Sequence, residues 1–337
     1  MLLERHKITV LMSVYNGGSF LGPAIESILG QSHTDFEFIV IDDGSSDGSA
    51  DTIASYRDRR LRVIRHPENA GLAARLNQGF AVASGRYIAR MDADDISMPE
   101  RLERQITFMQ THPYVGACGT WIEVAGGGVT QRWEYPASHR AIHARLLFDC
   151  AMAHPTVMFD RLRLQKARLS YDSSYPCAQD YDLWCRAVED LSLANIPEVL
   201  LIRHLHADQV GRRDANAQQR WAATIRRRQL ERLGIKPDQQ GTLHEAISTW
   251  SWPKTEVFLH DAEAWLCRLL EANRSHAVYP EPEFSAVVGE RWMAICRSLE
   301  PKLGRRFWNS PLSGTLELGW AENLRGRAWR GLAMLGL

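Results

Sequence analysis

The sequence predicts an α/β fold, a mixed and mainly parallel central sheet flanked by helices, with a helical region at the C-terminal end. Three observations carry this expectation. Short apolar runs alternate with amphipathic helical segments over residues 8–91. The runs are apolar at consecutive positions rather than at every second one, as in strands covered on both faces. From about residue 215 onward the apolar spacing is almost wholly helical.

Residues 8–14 form the first buried strand, ending in a Tyr15-Asn16-Gly17-Gly18 turn. Phe20, Leu21, Ala24, Ile25, Ile28 and Leu29 then recur at helical spacing, with Gly30 placed to end the helix. A second strand over 36–41 is broken by the acidic turn Asp42-Asp43-Gly44-Ser45-Ser46-Asp47-Gly48. A helix near 49–56, a strand near 61–65, a helix over about 72–83 and a strand over 87–91 continue the alternation. Strand-helix alternation of this kind implies a parallel sheet. After Pro99 a long helix runs through Glu103, Ile106 and Met109 until Pro113 ends it.

The pattern then loosens towards a mixed sheet. Residues 115–124 and 157–159 read as strands on either side of a Gly126-Gly127-Gly128 turn, and a strand covers 199–204. Between them a helix over about 181–189 follows Gln179-Asp180. The expected organisation is two halves of one α/β domain, 1–112 and 113–214, and a helical region over 215–337.

Composition narrows the function classes. At 337 residues and 45% hydrophobic the chain can bury a large core, so disorder is not its default. Forty basic residues balance forty acidic ones, so no global field recommends nucleic acid as a partner. Six cysteines are scattered without a CxxC pair, which argues for reduced thiols in a cytosolic compartment and against a zinc site. The first residues lead straight into a strand and leave no room for a secretory segment, and no apolar run is long enough to span a bilayer. Any membrane contact is expected to be peripheral, on the inner face of the cell membrane.

The chemistry is expected at Met91-Asp92-Ala93-Asp94-Asp95, where three carboxylates crowd the end of a buried strand. Carboxylate oxygens suit Mg²⁺ or Mn²⁺. The same letters also suit a polar turn with a helix cap. In open parallel sheets ligands bind beyond the carboxyl ends of the strands, and the Asp43 and Asp94 turns both fall there.

Four segments occur in order: Ile8-Thr9-Val10-Leu11-Met12-Ser13-Val14-Tyr15-Asn16, Ile39-Val40-Ile41-Asp42-Asp43-Gly44-Ser45, Asn69-Ala70-Gly71-Leu72-Ala73-Ala74-Arg75-Leu76-Asn77 and Asp92-Ala93-Asp94-Asp95. Together with Gln179-Asp180-Tyr181-Asp182-Leu183-Trp184, this series resembles the family 2 glycosyltransferases of GT-A fold. The resemblance covers the first third closely and extends to about residue 210. It implies an inverting transfer from a nucleotide-sugar with a divalent ion at the DxD motif.

Residue by residue, the resemblance implies that Tyr15 lies against the base, Asp43 accepts from the pyrimidine N3–H, and Ser13, Arg75 and Asp92 join them at the nucleotide. Asp94 would hold Mn²⁺ or Mg²⁺, with His206 closing over the ion or the diphosphate; His154 is a lesser candidate. Asp180 would be the general base that takes the acceptor's proton. Gln179 stands where the family commonly has Glu. Each residue also has a plain structural reading: an Asx turn for Asp43, core packing for Tyr15, a solvated helix charge for Arg75, a helix N-cap for Asp180.

The implied donor is a UDP-sugar or a dTDP-sugar and the implied acceptor a glycan or lipid-linked glycan, as in bacterial polysaccharide, O-antigen or capsule synthesis. The rivals are a nucleotidyltransferase making NDP-sugars, which lacks its glycine-rich, Lys-bearing loop here, and a non-catalytic nucleotide-sugar-binding subunit. In the helical region, tryptophans from Trp250 to Trp329 mix with arginines. Two expectations stand for them: packing on the core or on a second copy in a homo-oligomer, or a peripheral membrane surface.

Overall fold

The structure, a computed structural model, describes residues 8–126, 128–205, 215–236, 240–299, 307 and 309–316. The first half alternates in order: β1 (Ile8–Val14), α1 (Leu21–Leu29), β2 (Phe36–Asp43), α2 (Ser49–Ser55), β3 (Leu61–His66), α3 (Leu72–Val82) and β4 (Tyr87–Met91). A short β5 (Asp95–Ser97), α4 (Arg101–Thr111) and the strand pair β6 (Val115–Gly126) and β7 (Val129–Trp133) follow. Then come α5 (His139–Arg145), β8 (Met158–Asp160), α6 (Arg161–Lys166), α7 (Gln179–Asp190) and β9 (Ser192–His204).

The strand order is β3-β2-β1-β4-β8-β6-β9-β5, with β7 paired to β6. The first four strands are parallel, with Val10 opposite both Phe38 and Ala89. Ile8, Val10, Leu11, Met12 and Val14 are wholly buried because helices cover both faces, which explains the continuous apolar run. Strand β8 enters antiparallel between β4 and β6 and turns the sheet mixed. The parallel β6–β9 pair then carries the sheet to β5, which runs antiparallel with Asp95 opposite Arg203.

Glycine is required at one turn of the site. Gly44 has φ +78°, and a Cβ there would lie 2.8 Å from the Glu68 carbonyl carbon. No L side chain fits that turn without moving backbone.

The chain divides into two compact units, Met1–Ala137 with Met152–Gln209, and Ser138–Ala151 with Val210–Leu337. The second unit therefore takes in α5, a segment that the sequence groups with the α/β half. Its other helices are α8 (Ala215–Arg232), α9 (Gln240–Ser248), α10 (Glu256–His276) and α11 (Glu283–Leu299). Phe148, Leu230, Trp265, Leu269, Phe284 and Trp292 are buried together in its core. Ion pairs tie the inserted segment to α11: Arg145 Nη1 lies 2.9 Å from Glu290, and the buried Arg291 meets Asp149. Trp265 and Trp292 thus pack inside their own unit, whereas Trp308, Trp320, Trp329 and the arginines of 325–330 lie outside the described residues. Among the described residues no helix is long and apolar enough to cross a membrane.

Candidate active site

The turns that follow β1 and β2 are laced together. Asn16 N–H donates to Ser45 Oγ (3.0 Å), Gly17 N–H to Ser49 Oγ (2.9 Å) and Gly18 N–H to Asp47 (2.9 Å), while Ser46 N–H donates back to Asn16 Oδ1 (2.9 Å). These bonds fix a loop whose Tyr15 ring is 55% exposed, so its face is open to a ligand and not committed to the core. Ser13, near the end of β1, is half-buried in register with Ile41.

Asp43 is buried at the end of β2 and accepts from Ala70 N–H and Gly71 N–H, both at 2.9 Å, and from Arg75 Nε. Arg75 Nη2 also donates to the Glu68 carbonyl at 2.9 Å. Arg75 is therefore a clasp that binds α3 to Asp43, not a solvated helix charge. A carboxylate offers about four acceptor sites. Three donors leave one direction on Asp43 Oδ2.

The three carboxylates of the 92–95 turn converge. One oxygen from each of Asp92, Asp94 and Asp95 lies within 4.8 Å of the others, the single such cluster of His, Cys, Asp and Glu among the described residues. Asp92 is clasped by both terminal nitrogens of Arg90, a buried arginine two residues back along β4. Asp95 is 1% exposed, and both its oxygens are buried with no hydrogen-bond partner. Burial, then the Asp92 and Asp94 charges, push its carboxyl well above the usual carboxylate range. Burial also raises Asp92, against the pull of Arg90. A buried carboxylate that lacks a donor and faces two more is the donor set a hard divalent cation accepts. The residues present fit such an ion.

Asp180 lies inside the first turn of α7, and Ala178, at φ +59°, takes the N-cap place. The N-cap reading of Asp180 is thus corrected: Ala178 takes the cap place by its backbone conformation, with no side-chain cap bond, and Asp180 stands inside the helix. Burial raises the Asp180 carboxyl, partly countered by the Tyr181 backbone N–H and by the charges of Arg90 and Arg203. The same two arginines act on Asp92. Asp180 and the acidic cluster therefore share one electrostatic neighbourhood.

His204, at the end of β9, has Nδ1 3.2 Å from the Asp94 carbonyl, and its ring lies 6.1 Å from Phe20. His206 lies outside the described residues. His154 is buried with Nε2 2.7 Å from the Tyr171 hydroxyl. Sequence reasoning passed over Arg90 and gave Asp95 no role. The available signal for Arg90 was a lone arginine inside the buried run Tyr87–Met91. For Asp95 it was a third acid directly after a DxD.

Comparison with known proteins now bears on this geometry. The sequence model described as Glycosyl transferase family 2 matches residues 9–166. An uncharacterised glycosyltransferase of Haemophilus influenzae is 30% identical over 244 residues, covering 68% of this chain and 76% of that one. The chain belongs to glycosyl transferase family 2. It is a glycosyltransferase enzyme. Another relative, the UDP-Glc:alpha-D-GlcNAc-diphosphoundecaprenol beta-1,3-glucosyltransferase WfgD of Escherichia coli, is 26% identical over 58% of this chain and 74% of its own. Among solved structures, S. aureus TarS 1-349 in complex with UDP-GlcNAc aligns at TM-score 0.58 and 16% identity, over 94% of this chain and 92% of that one. Against the longer TarS chain, this chain spans 54% of its length. The mannosyltransferase PcManGT from Pyrobaculum calidifontis, in complex with GDP-Man and Mn²⁺, aligns at TM-score 0.52 and 16% identity, over 95% and 87%. These structural likenesses establish the GT-A-like α/β fold of the family.

Proposed function

We propose that this family 2 glycosyltransferase moves a sugar from a UDP-sugar to an acceptor hydroxyl with inversion, in the building of a bacterial surface glycan. The observation that carries the reading is the unpartnered, buried Asp95 beside Asp92 and Asp94, in a neighbourhood shared with a carboxylate of raised pKa, Asp180. Asp94 and Asp95, with Asp92 through its free edge, would hold Mn²⁺ or Mg²⁺, and His206 is the further candidate ligand. Such an ion supplies Lewis acidity that offsets the negative charge growing on a departing diphosphate.

The chain's own residues do the rest. Tyr15 offers a ring face to the base, with Ser13 beside it. The remaining acceptor direction of Asp43 suits a uracil N3–H, and the Asp43–Arg75 clasp keeps the loop at Ala70 and Gly71 in place around the nucleotide. Asp180 takes the acceptor hydroxyl's proton as the acceptor oxygen bonds the anomeric carbon. The bond from that carbon to UDP breaks, and UDP leaves as the anion. A carboxylate of raised pKa is the stronger base near neutral pH.

WfgD is named for UDP-glucose and a diphosphoundecaprenol-linked acceptor, and the aligned TarS structure holds UDP-GlcNAc, which supports a uridine donor and a lipid-linked glycan acceptor. The testing experiment is a donor screen reading released nucleoside diphosphate with and without Mn²⁺, across UDP-, dTDP- and GDP-sugars. Release confined to UDP-sugars and dependent on the ion is the expected result. Turnover that ignores the metal, or a preference for GDP-sugars, would count against it.

A further inference from the structure

Behind the acidic cluster lies a second buried arginine with no part in the chemistry above. Arg101, the first residue of α4, is wholly buried, yet its guanidinium has only neutral partners among the described residues. Nε donates to Gln105 Oε1 at 3.0 Å, Nη1 to the Met91 sulfur at 3.3 Å and Nη2 to the Arg90 carbonyl. An arginine keeps its proton in a protein, so a full charge is taken out of water here. Such burial is costly, and a buried arginine is ordinarily paired.

The contacts fall on the backbone that leads into the cluster. Arg90 and Met91 are the last two residues of β4, directly ahead of Asp92. Side chains alternate along a strand, so Met91 leaves the face opposite to Arg90 and Asp92. Arg101 therefore holds the strand end from one face while Arg90 grips Asp92 on the other. Gln105, one helical turn on, braces the guanidinium. Its Nε2 donates to the Thr156 carbonyl at 2.7 Å and to the Cys118 carbonyl at 3.2 Å, which ties Arg101 to β6 and to the turn ahead of β8.

The segment that leaves the cluster is pinned as well. Gln31, just past α1, accepts from Leu102 N–H at 3.0 Å and donates through Nε2 to Ser97 Oγ at 3.1 Å and to the Met98 carbonyl at 2.8 Å. Ser32 N–H donates to the Pro99 carbonyl at 2.9 Å. The acidic turn is thus fixed before and after by buried polar side chains. Three carboxylates with oxygens within 4.8 Å of one another repel when ionised. A loose turn would relax by spreading them, and a cation would have to gather them again. Donors that are already in place cost less to bind.

We propose that Arg101, braced by Gln105, is a positioning residue for the cation site: it holds the Arg90 carbonyl and the Met91 side chain so that Asp92, Asp94 and Asp95 stay converged before the ion arrives. The assignment rests on the proposed function, since it needs a divalent cation at this cluster. Charge and position act in opposite directions here. The Arg101 charge and those of Asp92 and Asp95 act on one another, so a role through charge alone means that removing it tightens cation binding. A role through position means that removing it loosens cation binding.

The test titrates Mn²⁺ into the full chain, alone and beside UDP with a UDP-only blank, and reads the free ion by its electron paramagnetic resonance signal. Arg101→Met keeps an unbranched apolar stem and removes every donor. It should weaken Mn²⁺ binding about tenfold or more, the usual cost of losing a partner behind a metal ligand, while UDP binding without the ion stays within about twofold. Arg101→Lys keeps the charge and a donor for the Arg90 carbonyl, and should recover part of the loss. Gln105→Met removes only the brace and should weaken Mn²⁺ about threefold, the worth of one modest hydrogen bond. These two variants decide the matter if Arg101→Met does not fold. Unchanged Mn²⁺ affinity in the folded variants, with only the melting temperature lowered, would mark a packing role and overturn the assignment. Tighter binding by Arg101→Met, or an Arg101→Lys variant no better than Arg101→Met, would overturn it too. A wild type that takes up no Mn²⁺ would overturn the cation reading itself and this assignment with it.

Discussion

Arg90 grips Asp92 through both ends of its guanidinium, with Nη1 2.6 Å from Oδ2 and Nη2 on Oδ1. The two stand two residues apart as β4 runs out, so both side chains leave the same face of the sheet. One member of the acidic cluster therefore holds a hydrogen-bonded counter-cation, whereas neither carboxylate oxygen of its neighbour Asp95 has a hydrogen-bond partner among the described residues.

That asymmetry predicts an unusual mutant. Asp95 has a folded-state pKa above its unfolded one, so it adds stability at low pH that is lost as pH rises through the folded value. Asp95→Asn removes a buried, unpartnered carboxyl whose ionised form burial and the Asp92 and Asp94 charges disfavour. Thermal unfolding of the metal-free variant should show a gain on the order of 1–3 kcal/mol over wild type. The same variant should lose the rise in melting temperature that Mn²⁺ gives the wild type. A metal-free variant no more stable than wild type would mean that Asp95 is not an electrostatic burden.

Asp180 makes a different prediction, about rate. Asp180→Asn preserves size and the helical turn but cannot take a proton, so kcat should fall by about 10²–10⁴ while UDP affinity stays within twofold. Because burial raises the Asp180 carboxyl and the base must be ionised, activity should climb with pH along an acid limb centred above the ordinary carboxylate range. A pH profile of kcat/KM with its acid limb at the ordinary value of an exposed aspartate would remove Asp180 from the role.

The parallel half of the fold was legible because burial on two faces writes continuous apolar runs such as 8–14. Its candidate site letters stood out because they lie where strands stop. What stayed hidden was decided by distant packing. Strand β5 is three residues long and exists only because β9 pairs with it, so it has no period to detect. The role of Asp95 was hidden with it. Segment Ser138–Ala151 joins the helical unit through Arg145, Phe148 and Asp149, contacts that no local pattern announces. At α7 the cap is Ala178 in the left-handed region, a residue that capping preferences would not choose, so the sequence pointed to Asp180 instead.

The Asp43 clasp can be tested apart from catalysis. Asp43→Ala strands Arg75, only 12% exposed at its side chain, and leaves the Ala70 and Gly71 amides without their acceptor. Removing one partner of a buried ion pair costs about 3–5 kcal/mol. Urea unfolding should show a loss of that order, and UDP affinity should fall with it. Arg75→Gln, which leaves both amide bonds to Asp43 in place, should cost less stability. Equal losses in the two variants would deny the amides any share.

The helical unit has a pH dependence of its own, of opposite sign to that of Asp95. His244 is wholly buried, with Nε2 3.2 Å from the Leu147 carbonyl and Nδ1 accepting from Trp265 Nε1 at 3.2 Å. Nε2 therefore carries the proton, and both ring nitrogens are satisfied in the neutral form. Burial, with the Arg226 charge, lowers its pKa to about 3. An unfolded histidine titrates near 6.5, so between those values the unfolded chain gains a proton that the folded chain refuses. The stability that His244 contributes is complete above the unfolded value and is lost as pH falls below it, on the order of 2 kcal/mol by pH 5. His244→Gln should be less stable at pH 7.5, through imperfect packing, but should lose less on acidification. Urea unfolding of both chains at pH 7.5, 6 and 5 measures the difference directly. Parallel acid losses would mean that His244 takes up its proton in the folded state, and that the bond from Trp265 does not hold the ring neutral.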